Sequence, residues 1–233
     1  FDINSAFQQR VFAIIGQNGV GKTQLITTLP LDLAKGREDL FAPQVPLYSK
    51  LLAVPTSLYD SFDVPKNSVG FNYVYCGLAC GKKDSKTILA PKELKLKLLE
   101  TTKTINGRER AESLKNILSP LYSADIISAL FTTQEEKLKV NQARLIEIVD
   151  YMSSGESSLL FIFCNIVANI RYDSLILFDE PETHLHPNAI TSLMSSIYQL
   201  LDEYQSYAII VTHSPLVIRE MRSTGVRIMD RIN

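Results

Sequence analysis

The hydrophobic positions of the chain follow one pattern in its first 80 residues and again after residue 158. Continuous apolar, β-rich runs recur there, and such runs are typical of strands that a parallel sheet buries on both faces. They predict strands at residues 11–15, 51–54, 71–78, 175–178, 207–211 and 226–229. Helical spacing predicts helices at residues 22–28, 157–170, 188–204 and 215–221.

The middle of the chain has a different, helical pattern. Composition and spacing predict helices at residues 92–103, 108–118, 123–131 and 135–149, with Gly107 and Pro120 between them. We therefore expect an α/β fold with a mainly parallel sheet and a helical insertion subdomain. The predicted core comprises residues 1–80 and 158–233, and the predicted insertion comprises residues 81–157.

Composition is that of a globular protein with one split core. Of the 233 residues, 45% are hydrophobic and 21% are charged, which excludes disordered, collagen-like and disulfide-scaffold classes. Three cysteines without a C-x-x-C pair argue against a disulfide framework or zinc ribbon and favour a reducing cytoplasm. The most apolar stretch, residues 159–170, is too short to span a bilayer, so we expect no membrane partner. The sequence does not begin with Met, and we expect the first residues of the natural protein, and some loops, to be absent from it.

The net charge of −1 conceals an asymmetry along the chain. Residues 82–144 contain 13 basic and 8 acidic side chains, whereas the remainder contains 11 basic and 17 acidic ones. A basic lobe could approach a nucleic-acid backbone or an acidic partner. The alternative is that these lysines lie on solvated helix faces, and the scarcity of aromatic residues argues against base stacking.

A glycine-rich segment follows the first predicted strand and precedes a predicted helix. Residues 16–23, Gly-Gln-Asn-Gly-Val-Gly-Lys-Thr, match the pattern G-x-x-x-x-G-K-[ST] in full. Glycines let successive backbone N–H groups turn toward phosphate oxygens, and the helix N-terminus adds partial positive charge. Lys22 supplies a charge for the β- and γ-phosphates, and the Thr23 hydroxyl can ligate Mg²⁺. The predicted ATP-binding residues are Asn18, Gly19, Val20, Gly21, Lys22, Thr23 and Gln24.

Two acids follow the strand predicted at residues 175–178. Ligands gather at the carboxyl ends of parallel strands, so we expect Asp179 to lie beside the phosphate loop and to bind Mg²⁺. Glu180 is predicted to be the general base that accepts a proton from the attacking water. Two acids that merely end a strand at the surface are the alternative, and the phosphate loop upstream argues against it.

Three further motifs complete a resemblance to the ATPases of the ABC superfamily. Residues 152–156, Met-Ser-Ser-Gly-Glu, resemble the signature motif of those proteins. Residues 179–187 resemble the Walker B and D-loop of the non-transporter branch, and residues 211–215, Val-Thr-His-Ser-Pro, resemble the switch-histidine motif. The four motifs occur in the right order and cover the whole core. The resemblance implies a P-loop NTPase fold that binds and hydrolyses ATP with Mg²⁺.

The same resemblance implies a homodimer, or a higher oligomer, with composite ATP sites. Ser153, Ser154, Gly155 and Glu156 would act on the ATP held by another subunit, and His213 would contact the γ-phosphate and orient the water. Without the other motifs, Ser154 would be interpreted as the N-cap of a helix starting at residue 157. His213 would be interpreted as a strand-end histidine with a structural hydrogen bond.

The chain departs from the family pattern in two places. Family members usually carry a glutamine after the second strand, whereas residues 51–57 contain none, and Thr56 or Ser57 would be a weak substitute. Transporter subunits place an aromatic residue upstream to stack on adenine, and here Phe1 and Phe7 are the candidates. His184 and His186 form an H-x-H pair, but without a third ligand nearby they do not predict a metal site.

The stretch of residues 182–187 resembles the ATPases of overcoming-lysogenization-defect type and of DNA repair. Among these, the stand-alone ATPases of bacterial antiphage systems, the Septu group with its retron-linked members, are similar in size. That branch implies a separate effector protein, a nuclease, which the ATP-gated dimer controls. The alternatives are a nucleotide-sensing scaffold with little hydrolysis, a DNA-repair ATPase, and a transporter ATPase subunit.

Overall fold

The computed structural model describes residues 10–42, 44–55, 72–80, 87–183 and 185–230. In chain order, its strands are β1 (Val11–Ile15), β2 (Leu51–Pro55), β3 (Tyr73–Tyr75), β4 (Ala79–Cys80), β5 (Thr87–Ile88), β6 (Phe131–Gln134), β7 (Lys137–Val140), β8 (Leu175–Asp179), β9 (Tyr207–Val211) and β10 (Val226–Ile228). Its helices are α1 (Lys22–Ala34), α2 (Pro91–Gly107), α3 (Ala111–Leu118), α4 (Ala124–Leu130), α5 (Gln142–Val149), α6 (Ser154–Asn169), α7 (Pro187–Glu203) and α8 (Pro215–Arg219).

The chain divides into two compact units. The first unit comprises Phe1–Gly77, Arg171–Thr183 and Tyr204–Asn233, and the second comprises Leu78–Ile170 and His184–Glu203. This division differs from the predicted domain boundaries because α6 and α7 group with the second unit.

A six-stranded parallel sheet forms the centre of the first unit. The strand order is β10-β1-β9-β8-β2-β3, and every neighbouring pair is parallel. All five positions of β2 and of β8 are buried, as expected for the hydrophobic runs that predicted them. The predicted α/β class with a mainly parallel sheet is therefore confirmed.

The register of the sheet aligns the strand ends that matter for the site. Asp179 at the end of β8 pairs with Pro55 of β2 on one side and with Val211 of β9 on the other. Val211 in turn pairs with Ile14 of β1, one residue before that strand ends. Residues that directly follow β1, β8 and β9 therefore emerge at the same edge of the sheet.

Helix α1 packs against one face of this sheet through its apolar positions. Ile26 and Leu33 of α1 belong to one buried cluster with sheet residues Leu51, Ala53, Leu175, Leu177 and Val211. Burying an aliphatic side chain in this way contributes roughly 1.5–3 kcal/mol. This packing fixes the helix that begins directly after the phosphate loop.

The second unit is helical around α6, a helix that is apolar on most of its surface. Nine of its sixteen residues are buried, which is typical of a helix enclosed by its neighbours. Arg108 donates to the Ala168 carbonyl at 2.6 Å, and Arg110 donates to the carbonyls of Val167 and Ile170 at 2.7 and 2.9 Å. These two arginines thus bind carbonyls that the end of the helix leaves without intrahelical partners.

The predicted helix over residues 135–149 is wrong in its first part. Residues 131–140 form an antiparallel hairpin of β6 and β7, and α5 begins only at Gln142. The two turn residues Glu135 and Glu136 both adopt positive φ, 52° and 62°, which suits a two-residue hairpin turn. The predicted helical insertion therefore contains a β-hairpin. Within the described ranges, no helix is long and apolar enough to cross a membrane.

Candidate functional site

The phosphate loop of residues 16–23 joins the carboxyl end of β1 to the start of α1. Gly19 and Gly21 adopt left-handed φ values of 80° and 99°, which glycine tolerates without strain. Gly21 is the N-cap of α1, so no side chain of the cap residue covers the first-turn N–H groups. The loop crest, residues 17–19, is exposed, Val20 and Thr23 are half-buried, and Gln24 is exposed. The helix start is thus arranged as an anion site.

Gly16 at the base of the loop is held by a close backbone contact. A Cβ at this position would lie 2.2 Å from the Met229 carbonyl oxygen, far inside any real contact distance. The Met229 N–H also donates to the Ile15 carbonyl at 2.7 Å. The residue after β10 therefore packs against the base of the phosphate loop, a contact that the sequence motif did not predict.

Lys22 is almost completely buried within the loop that carries it. Its Nζ donates to the carbonyls of Gly16 and Gln17 at 2.8 and 2.9 Å, and the residue is 4% exposed. Burial lowers the pKa of Lys22, while the negative charges of Glu180 and Asp179 oppose that shift. An ammonium held by loop carbonyls beside two acids fits a residue that exchanges those carbonyls for phosphate oxygens.

The predicted acid pair lies at the end of β8 in two different conformations. Asp179 is the last residue of the strand and is 1% exposed. Glu180 has φ of 47° and donates its N–H to the Val211 carbonyl at 2.8 Å. A non-glycine residue in the left-handed region stores strain of order 1–3 kcal/mol, and such strain clusters at functional sites. The Glu180 carboxylate stays partly exposed, with a side-chain exposure of 38%.

The structure brings Glu180 together with the predicted switch histidine. Glu180 Oε1 lies 3.2 Å from Nε2 of His213, which follows the neighbouring strand β9 by two residues. Thr183 Oγ1 donates to the other carboxylate oxygen of Glu180 at 3.5 Å. A carboxylate and an imidazole within hydrogen-bond reach can move or hold a proton between them.

The oxygen donors at this edge of the sheet fit a magnesium ion. Thr23 offers a hydroxyl in the first turn of α1, and Asp179 offers a buried carboxylate. Carboxylates and hydroxyls are the hard ligands that Mg²⁺ prefers in nucleotide sites. Thr23 and Asp179 are therefore the residues of this chain that would hold the metal.

The residues of the predicted signature motif form a capped helix start in the second unit. Ser153 is the N-cap of α6 and accepts from the Glu156 N–H at 3.3 Å, while Glu156 Oε2 accepts from the Ser153 N–H at 2.8 Å. This reciprocal pair is a capping box. The interpretation of Ser154 as the cap of a helix starting at residue 157 is wrong, because the helix begins at Ser154 itself. Ser153, Ser154 and Glu156 are exposed, and Gly155 is half-buried.

Several candidates of the sequence analysis fall outside the described residues. These are Thr56 and Ser57, Phe1 and Phe7, and His184. The other histidine of the H-x-H pair, His186, accepts from the Asn188 N–H at 3.4 Å. Across the described ranges, no cluster of three or more His, Cys, Asp or Glu residues could hold a metal ion.

The basic surplus of the middle segment is partly used inside the second unit. Ion pairs join Lys95 to Asp150, Lys137 to Glu109 and Arg144 to Glu147. Two further basic residues of this segment, Arg108 and Arg110, bind carbonyls of α6. These contacts favour the interpretation that the charges serve the fold and its solvated surface, and the nucleic-acid partner stays a prediction.

Two polar residues beside the site were not predicted to have a role. Thr212 is fully buried, and its hydroxyl donates to the Glu182 carboxylate and accepts from the Ser214 N–H at 2.9 Å. Both residues lie inside motifs that the sequence analysis quoted, but only their pairing across two strands gives them a role.

The fold and this site define an ATPase-like, P-loop nucleotide-binding domain of the AAA type. The phosphate loop follows β1, the acid pair follows β8, and the histidine follows β9, all at one edge of a parallel sheet. The chain belongs to the family described as "AAA domain, putative AbiEii toxin, Type IV TA system", which matches residues 30–219.

The comparisons with known proteins also include transporter ATPases and a phage protein. The chain is similar to the structure of cbiO1 from Clostridium perfringens, part of an ABC transporter complex, at 17% identity and a TM-score of 0.49, over 94% of this chain and 73% of that one. For a bacterial Atm1-family ABC exporter with ATP bound, the identity is 13% and the TM-score 0.47, over 95% and 32% of the two chains. Protein ea59 of Escherichia phage lambda is 27% identical over 255 residues, which cover 94% of this chain and 48% of that protein. The chain thus spans about half the length of this curated relative.

Proposed function

We propose that this chain binds ATP with Mg²⁺ and hydrolyses it at the edge of the sheet where β1, β8 and β9 end. The observation that carries the proposal is the contact between Glu180 Oε1 and His213 Nε2 at 3.2 Å. This pair lies near the phosphate loop, since the negative charges of Glu180 and Asp179 act to raise the pKa of Lys22. A phosphate loop alone would support nucleotide binding. The added acid and histidine support hydrolysis.

In the proposed reaction, each residue has one role. Lys22 leaves the carbonyls of Gly16 and Gln17 and neutralises charge on the β- and γ-phosphates. Glu180 accepts a proton from water as the water oxygen bonds to the γ-phosphorus, and the bond from that phosphorus to the bridging oxygen of ADP breaks. His213 holds the Glu180 carboxylate and contacts the γ-phosphate. The chemistry that Mg²⁺ supplies when bound is neutralisation of phosphate charge, and Thr23 and Asp179 would hold it.

The proposal extends to assembly and to a partner. The exposed capping box of Ser153 and Glu156, next to the Ser154 and Gly155 N–H groups at the start of α6, is suited to contact a phosphate of ATP held by a second copy. Such a contact would give a head-to-tail dimer with two shared ATP sites. Its ATP-dependent closure would switch an effector, a nuclease, in defence against phages.

The family description, which names a toxin of a type IV toxin–antitoxin system, supports the idea of an effector under control. The effector would be a separate protein. Because the chain spans 48% of the phage lambda relative, an effector domain fused to this type of ATPase is the alternative arrangement. The competing functions are a transporter ATPase subunit and a nucleotide-sensing scaffold with little hydrolysis. The ATP turnover of the parent protein distinguishes the scaffold from the proposed ATPase.

Replacing Glu180 by glutamine tests the proposal directly. Glu180→Gln keeps a hydrogen-bond acceptor toward His213 but cannot take a proton from water. We expect ATP binding, measured by titration calorimetry, to be essentially unchanged, and kcat to fall by about 10²–10⁴-fold. The same variant should accumulate with ATP as a species of twice the mass in light scattering, since hydrolysis no longer releases it.

Glu100→Gln is the matched control for this experiment. Glu100 is exposed on α2, and its side chain has the same chemistry as that of Glu180. Among the described residues, the ion pair of His213 is with Glu180 and not with Glu100. It should leave kcat, ATP binding and mass unchanged. A parent protein that turns over no faster than Glu180→Gln would contradict hydrolysis and favour the nucleotide-sensing scaffold.

A further inference from the structure

We propose that Glu182 is a positioning residue for the switch histidine, acting through the hydroxyl of Thr212. It clamps the loop after β9, which carries His213, onto the loop after β8, which carries Glu180. This inference rests on the proposed ATPase function and adds to it two residues to which the proposed reaction gives no role.

The clamp begins with the position of Thr212 between the sheet and the histidine. Thr212 is the first residue after β9, it is fully buried, and its N–H lies 3.3 Å from the Ile14 carbonyl of β1. Its hydroxyl accepts from the Ser214 N–H at 2.9 Å and donates to Glu182 Oε1. The Thr212 hydroxyl therefore holds the residue that follows His213, and it joins the loop after β9 to the loop after β8.

The direction of these hydrogen bonds makes the clamp specific. A hydroxyl has a single proton, and here that proton goes to the carboxylate while a lone pair accepts the backbone N–H. A chain that runs from N–H to hydroxyl to carboxylate is strengthened by polarisation, and its acceptor end is charged. Because Thr212 is buried, bulk water does not compete for this hydroxyl in the folded parent protein.

A second fixed point lies on the far side of the histidine. Ser214 is the N-cap of α8, and its hydroxyl accepts from the Leu216 N–H at 3.3 Å. His213 thus sits between the clamped Thr212 and a capped helix start. Across the gap, the Glu180 N–H is bound to the Val211 carbonyl at 2.8 Å, so both members of the Glu180–His213 pair are tied to the same two strand ends.

The two carboxylate oxygens of Glu182 differ in what they bind. Glu182 Oε2 is buried and has no hydrogen-bond partner among the described groups. The described hydrogen bond of this carboxylate is made by Oε1, which accepts from the Thr212 hydroxyl. The role of Glu182 in the clamp is to accept this hydrogen bond, which fixes Thr212 and thereby positions His213.

The test removes the hydroxyl and then restores it. Thr212→Val keeps the shape but deletes the donor and the acceptor, whereas Thr212→Ser keeps both. We expect Thr212→Val to lower kcat at least about tenfold with little change in KM for ATP, because the geometry of proton transfer is lost while phosphate binding is not. Thr212→Ser should recover most of the parent kcat. Thr104→Val is the matched control, since the exposed Thr104 donates only within its own helix, to the Glu100 carbonyl.

A double-mutant cycle assigns the effect to the pair. Glu182→Ala should lower kcat to a similar extent, and Glu182→Ala combined with Thr212→Val should be no slower than either single variant. Multiplied effects in the double variant would overturn the clamp, and so would a Thr212→Val change confined to KM. If Thr212→Val does not fold, the comparison of Glu182→Ala with Glu182→Gln, which keeps an acceptor oxygen, gives the same contrast.

A readout without nucleotide separates this proposal from the proposed function. The chain has three histidines, so the imidazole NMR signals are few, and His213→Gln assigns the one in question. Thr212→Val should shift or broaden the His213 signal in the nucleotide-free protein, and Thr212→Ser and Thr104→Val should not. An unchanged His213 signal in Thr212→Val overturns the clamp even if ATP is hydrolysed. If the parent protein does not hydrolyse ATP, the proposed ATPase function is overturned. The His213 signal in the nucleotide-free protein then tests the clamp by itself.

Discussion

At the scale of the residue, the candidate site includes a backbone conformation that the residue types alone do not predict. Glu180 follows Asp179 with a left-handed backbone, φ of 47°, and its carboxylate lies beside His213. The motif predicted the residue type and its role as a base. The motif could not predict the strained backbone, because a pattern of residue types does not specify the φ value that a residue adopts in the folded sheet.

Gly16 gives a prediction at this scale. Gly16→Ala would place a methyl group 2.2 Å from the Met229 carbonyl oxygen, and backbone atoms on both sides leave little room to adjust. We expect a loss of about 1–3 kcal/mol in the free energy of unfolding, measured with urea, together with weaker ATP binding.

Gly107→Ala is the control for that substitution. Gly107 ends α2, and a Cβ there would meet no atom within 4 Å. Alanine at a helix end without strain should be neutral or stabilising by up to about 1 kcal/mol. Equal stability of the two variants would show that the phosphate loop can move away from Met229.

At the scale of the element, the start of α6 combines a structural cap with the predicted signature. Ser153 and Glu156 satisfy each other's backbone N–H groups, as in any well-capped helix. The proposed contact with the ATP of a second copy would give Ser153 a second role, as a ligand of the nucleotide. A cap role and a ligand role predict different results for substitutions that keep only the cap.

Ser153→Asn separates the two roles. Asparagine caps helices about as well as serine, so the melting temperature should stay close to that of the parent. Ser153→Ala loses the cap, about 1 kcal/mol, and should melt about 2–4 °C lower. If Ser153 contacts nucleotide, both variants should lose ATP turnover. Full turnover in Ser153→Asn would reduce Ser153 to a cap.

The same scale shows what the sequence can and cannot predict. Buried strands such as β8 and β9 were predicted to within a residue because continuous apolar runs leave few alternatives. Residues 131–140 were predicted in part as helix because Glu and Lys favour helices, yet they form β6 and β7. The hairpin has Glu135 and Glu136 at positive φ, and its strand β7 packs against α2 and α3. Local helix preference takes no account of such tertiary contacts.

The sequence motifs predict the residues of the candidate site but not all of the contacts between them. Lys22, Asp179, Glu180 and His213 follow from motifs whose chemistry fixes their spacing, and the structure places Glu180 and His213 in contact. Glu182 and Thr212 were not given a role because their hydrogen bond joins residues 30 positions apart. Only the pairing of β8 with β9 brings them together.

At the scale of the whole molecule, buried groups that lose protons at high pH set a limit on stability. Burial raises the pKa of Cys76 and of Cys164 to about 12 each, from an ordinary value of 9.0. Burial also raises the pKa of Tyr48 to about 12. Between pH 9 and 12 the unfolded chain releases these protons and the folded chain retains them, so stability falls as pH rises through that window.

Thiol labelling tests this prediction. In a Cys80→Ser background, iodoacetamide at pH 8 should leave Cys76 and Cys164 unmodified while the protein is folded, because the thiolate is the reactive form and burial suppresses it. Both should react fully in urea. The urea midpoint should fall as the pH is raised from 9 toward 11, and equal labelling rates in folded and unfolded samples would contradict the burial of the thiols.

The order of strands in the sheet has a consequence for how the protein is made. β1, which leads into the phosphate loop, has β9 and β10 as its two neighbours, and about 190 residues separate it from β9. A ribosome that adds about 5–20 residues per second would leave the backbone edges of β1 without partner strands for roughly 10–40 s. Translation must therefore pass residue 211 before β9 can pair with β1 along its whole length.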